Sequence, residues 1–293
     1  MLTFTACSGA TVITYSTYWG RENVNEVCVY DVSVKYGEAN SSVPKLSGNG
    51  TYTTSITGGN EEGFTATTLF EFVGEYTLPG GEVKAVEEKI ETKTVFANAV
   101  NSFKPVSSER KYNGSTLAYK NGKFTLEPLN YSSSVNYSDN KAKASLNVEG
   151  GSASFGLPAS FEINAGKTAF FDNEQMPYIL RAMLNDTVYD KGLNSTITLI
   201  SPLSKDVINL TVVAPAKTTE KIDLKLNGAD AKFDAYKVGI QKSGKNAGSP
   251  LYYYFAKGDS VDGKNVMRLL KIEQTVAYTK DTLVFTLSNY TNA

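Results

Sequence analysis

Hydrophobic and polar residues alternate along much of this chain with a period of about two, the pattern of strands that bury one face. Between residues 24 and 36, one face carries Val24, Glu26, Cys28, Tyr30, Val32, Val34 and Tyr36. Most of these residues are apolar, so this face is predicted to pack against the core. Cys28 is therefore expected to point inward as a small hydrophobic residue.

Turn signals between alternating segments predict antiparallel hairpins. Residues 78–81, Leu-Pro-Gly-Gly, separate an alternating segment at 64–76 from another at 86–96. Asn121-Gly122 lies between predicted strands at 116–120 and 123–127, and it is the pair that type I′ turns favour, because both central residues of that turn take positive φ. A further hairpin is predicted around the loop at 138–141, Ser-Asp-Asn-Lys, between strands at 131–137 and 142–148.

One segment has helical periodicity instead. An apolar stripe runs through Met176, Ile179, Leu180, Met183 and Leu184. Asp172 or Asn173 is a suitable N-cap, and Pro177 falls in the first turn, where its missing N–H does little harm. We predict a short helix over about residues 173–184 that packs on one face of a sheet.

Strand patterns resume after this helix and continue between residues 196 and 287. Many strands separated by turn residues predict a mainly β protein, with an antiparallel curved sheet as a barrel or half-barrel and one short helix packed on it. Residues 1–20 are expected to be a signal remnant and flexible tether. Residues 21–293 are expected to form a single large β domain, with a subdivision near 150–157 as the alternative.

Composition narrows the chemistry. The chain has 293 residues, a net charge of −1 and no histidine. The absence of histidine removes the usual general base, the usual metal ligand and the usual activator of Ser or Cys nucleophiles. The balanced charge argues against a nucleic-acid partner. We expect no catalytic triad, no metal site and no cofactor.

The first residues resemble the end of a bacterial lipoprotein signal, in which a small residue precedes a Cys that becomes lipidated. Ala6 and Cys7 fit this pattern, whereas Phe4 stands where Leu is usual, and the basic and apolar upstream regions are missing. The resemblance implies a lipid anchor on Cys7, attachment to a bacterial cell membrane and an extracytoplasmic location. The alternatives are an ordinary Cys7 near a frayed terminus or a Cys7–Cys28 disulfide.

The second half of the chain carries a short helix with Leu180-Arg181-Ala182 and then a series of strands. The last of these include Pro250–Phe255, Met267–Gln274 and Leu283–Leu287. In this order and character, residues 172–290 resemble a family of uncharacterised bacterial envelope proteins described as β-barrels or half-barrels. The resemblance implies a curved antiparallel sheet that wraps a helix, and it implies no established activity.

Two sets of residues are candidate sites. Trp19, Tyr252 and Tyr254 offer aromatic surfaces for stacking on a ligand, although tyrosine also fills sheet cores. Glu87, Glu88 and Glu91 offer carboxylates for glycoside hydrolysis, but Glu87 and Glu91 share a strand face with lysines, which favours a solvated face. Glu88 falls on the opposite face of this strand, so its burial in the structure tests whether it belongs to a site.

These observations favour a noncatalytic cell-envelope lipoprotein whose β scaffold binds an unknown apolar, glycan or protein ligand. A carboxylate-dependent hydrolase acting on envelope glycans is one alternative. A structural or adhesive surface module without a pocket is another.

Overall fold

The computed structural model describes residues 3–4, 13–14, 24–38, 40–59, 61–98, 102–149, 156–165, 169–184, 190–243, 249–258, 260–261 and 264–292. The strands are β1 (Thr3–Phe4), β2 (Ile13–Thr14), β3 (Val24–Lys35), β4 (Lys45–Gly59), β5 (Gly63–Thr77), β6 (Val83–Phe96), β7 (Pro105–Lys120), β8 (Lys123–Ser138), β9 (Lys141–Val148), β10 (Ser160–Asn164), β11 (Phe171–Asp172), β12 (Leu193–Ile200), β13 (Ile208–Ala214), β14 (Glu220–Leu226), β15 (Ala229–Lys242), β16 (Leu251–Ala256), β17 (Ser260–Val261), β18 (Lys264–Asn265), β19 (Leu269–Thr275) and β20 (Thr282–Asn292). A 3-10 turn (Asn173–Gln175) leads into helix α1 (Met176–Met183).

Within the described residues, sixteen strands form one sheet, in the order β10-β9-β8-β7-β6-β5-β4-β3-β20-β19-β16-β15-β13-β12-β11, with β14 paired to β15 beside this path. Neighbours are antiparallel except β11 and β12, which run parallel over two residue pairs. The sheet therefore consists of two meanders, one from β3 to β10 and one from β12 to β20. They join where the first long strand, β3, pairs with the last, β20.

The two ends of this sheet meet through side chains. Ile200, at the end of β12, shares a buried apolar cluster with Val135 of β8, Ala144 of β9, Ile163 of β10 and Phe170. Because β10 and β12 lie toward opposite ends of the strand order, the sheet must curve back on itself to form this cluster. The prediction of a curved, barrel-like antiparallel sheet with one short helix is confirmed.

Strand β3 shows why alternation identified the core face. Val24, Cys28, Tyr30 and Val32 are buried, as predicted, whereas Tyr36 lies beyond the last residue of the strand and is 64 % exposed. Cys28 is a free, buried thiol. Cys7 lies outside the described residues.

The predicted helix is confirmed, and Asp172 is the N-cap of the 3-10 turn with which it begins. The Asp172 carboxylate accepts a hydrogen bond from the Glu174 N–H (2.8 Å), and the Gln175 side chain accepts one from the Asp172 N–H (2.8 Å), which completes a capping box. The helix is buried on all sides, including Tyr178 and Arg181 outside the predicted stripe. A helix enclosed by a curved sheet has no solvent-facing side.

The hairpin turn at Asn121-Gly122 is also confirmed, because the two residues have φ of +51° and +77°. The segments 123–127 and 131–137, which the sequence predicts as separate strands, form the single strand β8. Pro128 lies in the part of β8 that precedes its first β9 pair, Tyr131↔Val148, so the strand has an edge there that tolerates proline.

Candidate functional site

Helix α1 fills one end of the barrel. Gln175 donates to the Phe103 carbonyl in the β6–β7 connection (3.0 Å), and the Arg181 Nε donates to the Val266 carbonyl in the β16–β19 connection (2.5 Å). Arg181 also reaches Glu26 near the start of β3. These contacts lie at one end of the long strands, which we call the plugged end.

A buried ion pair holds the helix at the plugged end. The Arg181 guanidinium donates to both Glu26 carboxylate oxygens, at 2.7 and 2.9 Å, and their side chains are only 4 % and 5 % exposed. The Tyr290 hydroxyl donates to the same carboxylate at 3.1 Å. The cavity beside this pair is about 20 Å³, the size of one water molecule, so the site is suited to fixing the helix rather than to holding a ligand.

A second polar cluster ties the start of the helix to the first meander. The Asp172 carboxylate accepts hydrogen bonds from Ser108 (2.5 Å) and from the Tyr137 hydroxyl. Burial raises the pKa of Asp172 to about 6, and the neighbouring Glu174 carboxylate adds to this effect. Arg110 forms an ion pair with Glu174 at 2.7 Å. Both carboxylates are thus engaged in positioning the helix.

The opposite end of the strands, which carries the turns at 78–82, 121–122 and 276–281, is the open end. A pocket of about 220 Å³ lies there. Apolar side chains from β4, β5, β6 and β20 form one wall, and residues 274–277 form the other; the wall consists of Leu46, Phe72, Tyr76, Val86 and Leu283. We call this cavity the open-end pocket.

Glu88 is the one carboxylate among the described residues that line the open-end pocket. It lies opposite Phe72 in the β5–β6 register, so its side chain projects inward, and the Tyr112 hydroxyl donates to it at 3.3 Å. Burial raises the pKa of Glu88, although the Tyr112 hydrogen bond and the Arg110 charge oppose the shift. A carboxyl in an apolar wall accepts a hydrogen bond from a ligand and disfavours an anionic group.

The β7–β8 hairpin changes course beside this pocket. The last β6–β7 pair is Lys89↔Asn113, and the following Gly114 is crowded, because an added Cβ would lie 3.1 Å from the Glu87 carbonyl oxygen, closer than an ordinary contact. Beyond this point the hairpin leaves β6. We call residues 114–129 the flap.

The flap reaches across to the β19–β20 turn. Its Phe124 ring lies 4.7 Å from the Tyr119 ring and 6.2 Å from the Tyr278 ring. Tyr278 directly follows residues 274–277, which line the open-end pocket. The flap therefore contacts the same turn that forms one wall of the pocket.

A larger concavity of about 590 Å³ lies on the outer face of β6–β9. Its outward side chains are charged residues and small polar ones: Glu91, Lys93, Glu109, Lys111, Ser132, Ser134, Ser145 and Asn147. The register places Glu91 opposite Lys111 and Lys93 opposite Glu109. Opposite charges that face each other across strands are typical of a solvated sheet face.

The structure separates the carboxylates singled out from the sequence. Glu87 is exposed, and Glu91 lies 3.5 Å from Lys89 on the same solvated face, as the pattern indicates. Glu88 is the member of this group that points into a pocket. Its position on the inward face was visible from alternation, but the pocket depends on side chains from β4 and the β19–β20 turn, far away in sequence.

The aromatic candidates do not come together at this pocket. Tyr253 points inward and stacks on Phe255, whereas Tyr252 and Tyr254 lie on the other face of β16, where the Tyr254 hydroxyl donates to Glu273 at 2.8 Å. The Lys237 ammonium lies 4.5 Å from the Tyr252 ring centre and 5.4 Å from that of Tyr254, which is 1 % exposed. A stacking ligand would have to displace lysine from these rings, so their binding role stays a prediction. Trp19 lies outside the described residues.

No helix in the described part of the chain combines the length and apolar character that crossing a bilayer requires. The described residues also contain no group of three or more acidic or cysteine side chains placed to hold a metal ion.

Comparison with known proteins identifies the fold. No family model matches the chain, and neither does any curated protein. A solved structure titled a beta-barrel-like protein of the domain of unknown function DUF1849, from Brucella abortus, is similar, with a TM-score of 0.54 and 12 % sequence identity. The alignment covers 92 % of this chain and 98 % of that one. At this identity the similarity shows a shared β-barrel-like fold.

Proposed function

We propose that this protein is a noncatalytic binding protein of the bacterial cell envelope, anchored by a lipid on Cys7, and that it holds an apolar ligand in the open-end pocket. The observation that carries the binding role is the asymmetry of the barrel. Helix α1 fills the plugged end, whereas apolar side chains at the other end surround about 220 Å³ with one inward carboxyl, Glu88. The envelope location rests on the context of Cys7.

The dimensions of the pocket define the class of ligand. Drug-sized ligands occupy roughly 300–1,000 Å³, so a cavity of about 220 Å³ accepts one ring or a short alkyl segment, and the rest of the ligand extends past the mouth. Glu88 favours a hydroxyl or amine near the buried segment. A ligand with its carboxylate or phosphate at that position would face an uncompensated like charge.

A neutral fluorescent probe tests the pocket. N-phenyl-1-naphthylamine has an apolar ring and one N–H donor, and its emission increases in apolar surroundings. We expect saturable binding that Gln274→Trp weakens by about tenfold or more. The Gln274 side chain lines the pocket and is exposed to solvent, so a tryptophan at this position fills the pocket. Val106→Trp is the matched control, since Val106 is 50 % exposed near the start of β7, toward the plugged end.

Two results would overturn this assignment. One is the absence of saturable probe binding to the wild-type protein. The other is equal binding by wild type, Gln274→Trp and Val106→Trp, which would place the probe elsewhere on the surface. A flat binding curve for all three proteins would favour the adhesive module without a functional pocket.

A variant of the same pocket distinguishes the hydrolase alternative from a noncatalytic binding protein. Glycoside hydrolysis generally requires two carboxyl groups, and Glu88 is the single carboxylate among the described lining residues. We expect Glu88→Gln to keep binding the probe and expect no glycan cleavage by either protein. Release of reducing ends from envelope glycan by wild type, and its loss in Glu88→Gln, would establish the enzyme instead.

A further inference from the structure

The exposed large aromatic side chains of the described residues lie at the open end of the barrel. The described chain has seven large hydrophobic side chains that remain exposed: Tyr36, Val73, Val83, Tyr119, Val106, Val213 and Tyr278. Four of them, Tyr36, Val83, Tyr119 and Tyr278, are at or beside the turns of the open end. The three tyrosines are 64 %, 55 % and 57 % exposed, respectively.

These tyrosines lie around the β19–β20 turn. Tyr119 and Tyr278 both contact Phe124, at ring distances of 4.7 and 6.2 Å. Tyr36 and Lys280 line one small cavity, and Lys280 follows Tyr278 by two residues. We call Tyr36, Tyr119, Phe124 and Tyr278 the aromatic rim.

Lysines accompany the aromatic rim. Lys120 and Lys123 flank the flap turn, and Lys45 lies beside Lys280 around the small cavity. The carboxylates nearby are Glu38, Glu127 and Asp281. Glu127 forms an ion pair with Lys120 at 2.7 Å. Asp281 is buried and accepts hydrogen bonds from the Gly37 and Leu46 N–H groups, at 3.0 and 2.8 Å.

We propose that the aromatic rim docks the open end of the barrel on an anionic lipid surface. Tyrosine has an apolar ring and a polar tip, so it is suited to the headgroup level of a bilayer, where lysine stems also extend toward lipid phosphates. Around the flap turn and the small cavity, four exposed lysines accompany two carboxylates, Glu38 and Glu127, although the whole chain carries a net charge of −1. The neighbouring Glu82 in the 78–82 turn is paired with Lys84 at 2.6 Å. The charge bias is local and matches an anionic surface.

This contact is separate from a lipid on Cys7 and from the ligand pocket. It requires only the flap, residues 36–38 and 40–44 of the β3–β4 connection and the β19–β20 turn, which the structure describes. The experiment therefore uses the full chain with Cys7→Ser, which has no lipid attachment site. Binding to vesicles is then measured by flotation.

The vesicles contain either phosphatidylcholine alone or phosphatidylcholine with phosphatidylglycerol. We expect the protein to float with the anionic vesicles and to bind them about tenfold more weakly after Tyr36→Ser, Tyr119→Ser and Tyr278→Ser are combined. The matched control combines Val73→Ser, Val106→Ser and Val213→Ser, which removes three apolar side chains outside the rim that are 61 %, 50 % and 43 % exposed. This control should bind as the parent does.

The result that overturns the proposal is equal flotation of the rim variant and its parent, or no flotation of the parent with either vesicle. Melting curves confirm that both triple variants are folded. A dimer in solution that the rim substitutions dissociate, in a protein that does not bind vesicles, would reassign the rim to contact between two copies of the chain.

Discussion

Arg181 and Glu26 lie 155 residues apart in the chain and form a bidentate ion pair inside the barrel. Arg181 comes from the only α-helix among the described residues that reaches the interior, and Glu26 comes from the first long strand. Burying two charges is costly, and the geometry must compensate through additional hydrogen bonds, here from the Tyr290 hydroxyl to Glu26 and from Arg181 to the Val266 carbonyl.

Removing one partner of this ion pair should therefore destabilise the fold strongly. We expect Arg181→Met to lower the free energy of unfolding by about 3–5 kcal/mol, because it leaves the Glu26 carboxylate buried without its cation. Combining Arg181→Met with Glu26→Leu should cost less than Arg181→Met alone. Urea denaturation of both single variants and the double variant measures the coupling. Lys141→Met is the control, since its ion pair with Glu162 is 3.5 Å long and exposed.

Asp172 gives the protein a specific pH dependence. Its pKa is about 6 in the folded protein, compared with an ordinary value of 3.8, because burial and Glu174 disfavour its charged form. The stabilising contribution of its bound proton is complete below about pH 4 and is lost as the pH rises through about 6. Asp172→Asn should gain stability relative to wild type over this range, by up to about 3 kcal/mol.

Urea denaturation at several pH values between 4 and 7 measures this difference. The exposed Asp230→Asn variant should follow the wild-type curve throughout. A difference between Asp172→Asn and wild type that does not change with pH would show that Asp172 ionises as an ordinary carboxyl.

The flap turn depends on the backbone of Gly122. Its φ is +77°, and a Cβ added there would have no atom within 4 Å, so substitution has a backbone cost and no steric clash with neighbours. Gly122→Val should lower the free energy of unfolding by about 1–3 kcal/mol, whereas Gly122→Asn should cost less, because asparagine tolerates positive φ. Thermal melts of both variants test the turn, and equal melting temperatures for the two would contradict it.

The lipid on Cys7 is tested by mass. When the protein is expressed from its full native gene in a bacterial host, we expect the wild type to gain lipid mass and to partition into membranes. Cys7→Ser should remain in the soluble fraction, because it lacks the thiol to which the lipid is attached. Intact mass spectrometry of both proteins decides this, and an unmodified wild-type Cys7 would remove the main support for an envelope location.

Alternation and turn residues are sufficient to predict most of the fold. The helix with its Asp172 cap, the Asn121-Gly122 turn and the strands after residue 190 follow from local signals. Strand β4 was missed because its sequence is dominated by Thr, Ser and Gly. Its weakly hydrophobic positions form a strand because β3 and β5 pair with it on both sides.

The candidate site was much less accessible to sequence reasoning. Alternation places Glu88 on the inward face, but the pocket also requires Leu46 and the turn at 274–277, which only the closed sheet brings together. Glu26 is a clearer indication of a buried polar interaction, since a carboxylate on a core face requires a partner. Identifying that partner as Arg181 required knowledge of where the helix lies.

The pairing of β3 with β20 has a consequence for how the chain is made. Within each meander most strands pair with a sequence neighbour, so each can begin to form as soon as its own hairpins exist. The seam between the meanders joins the first long strand to the last, and a growing chain therefore exposes one edge of β3 until synthesis is nearly complete. Such long-range pairing slows folding, and an unpaired strand edge is where aggregation begins. We expect the nascent chain to depend most on chaperones during this interval, before β20 covers that edge.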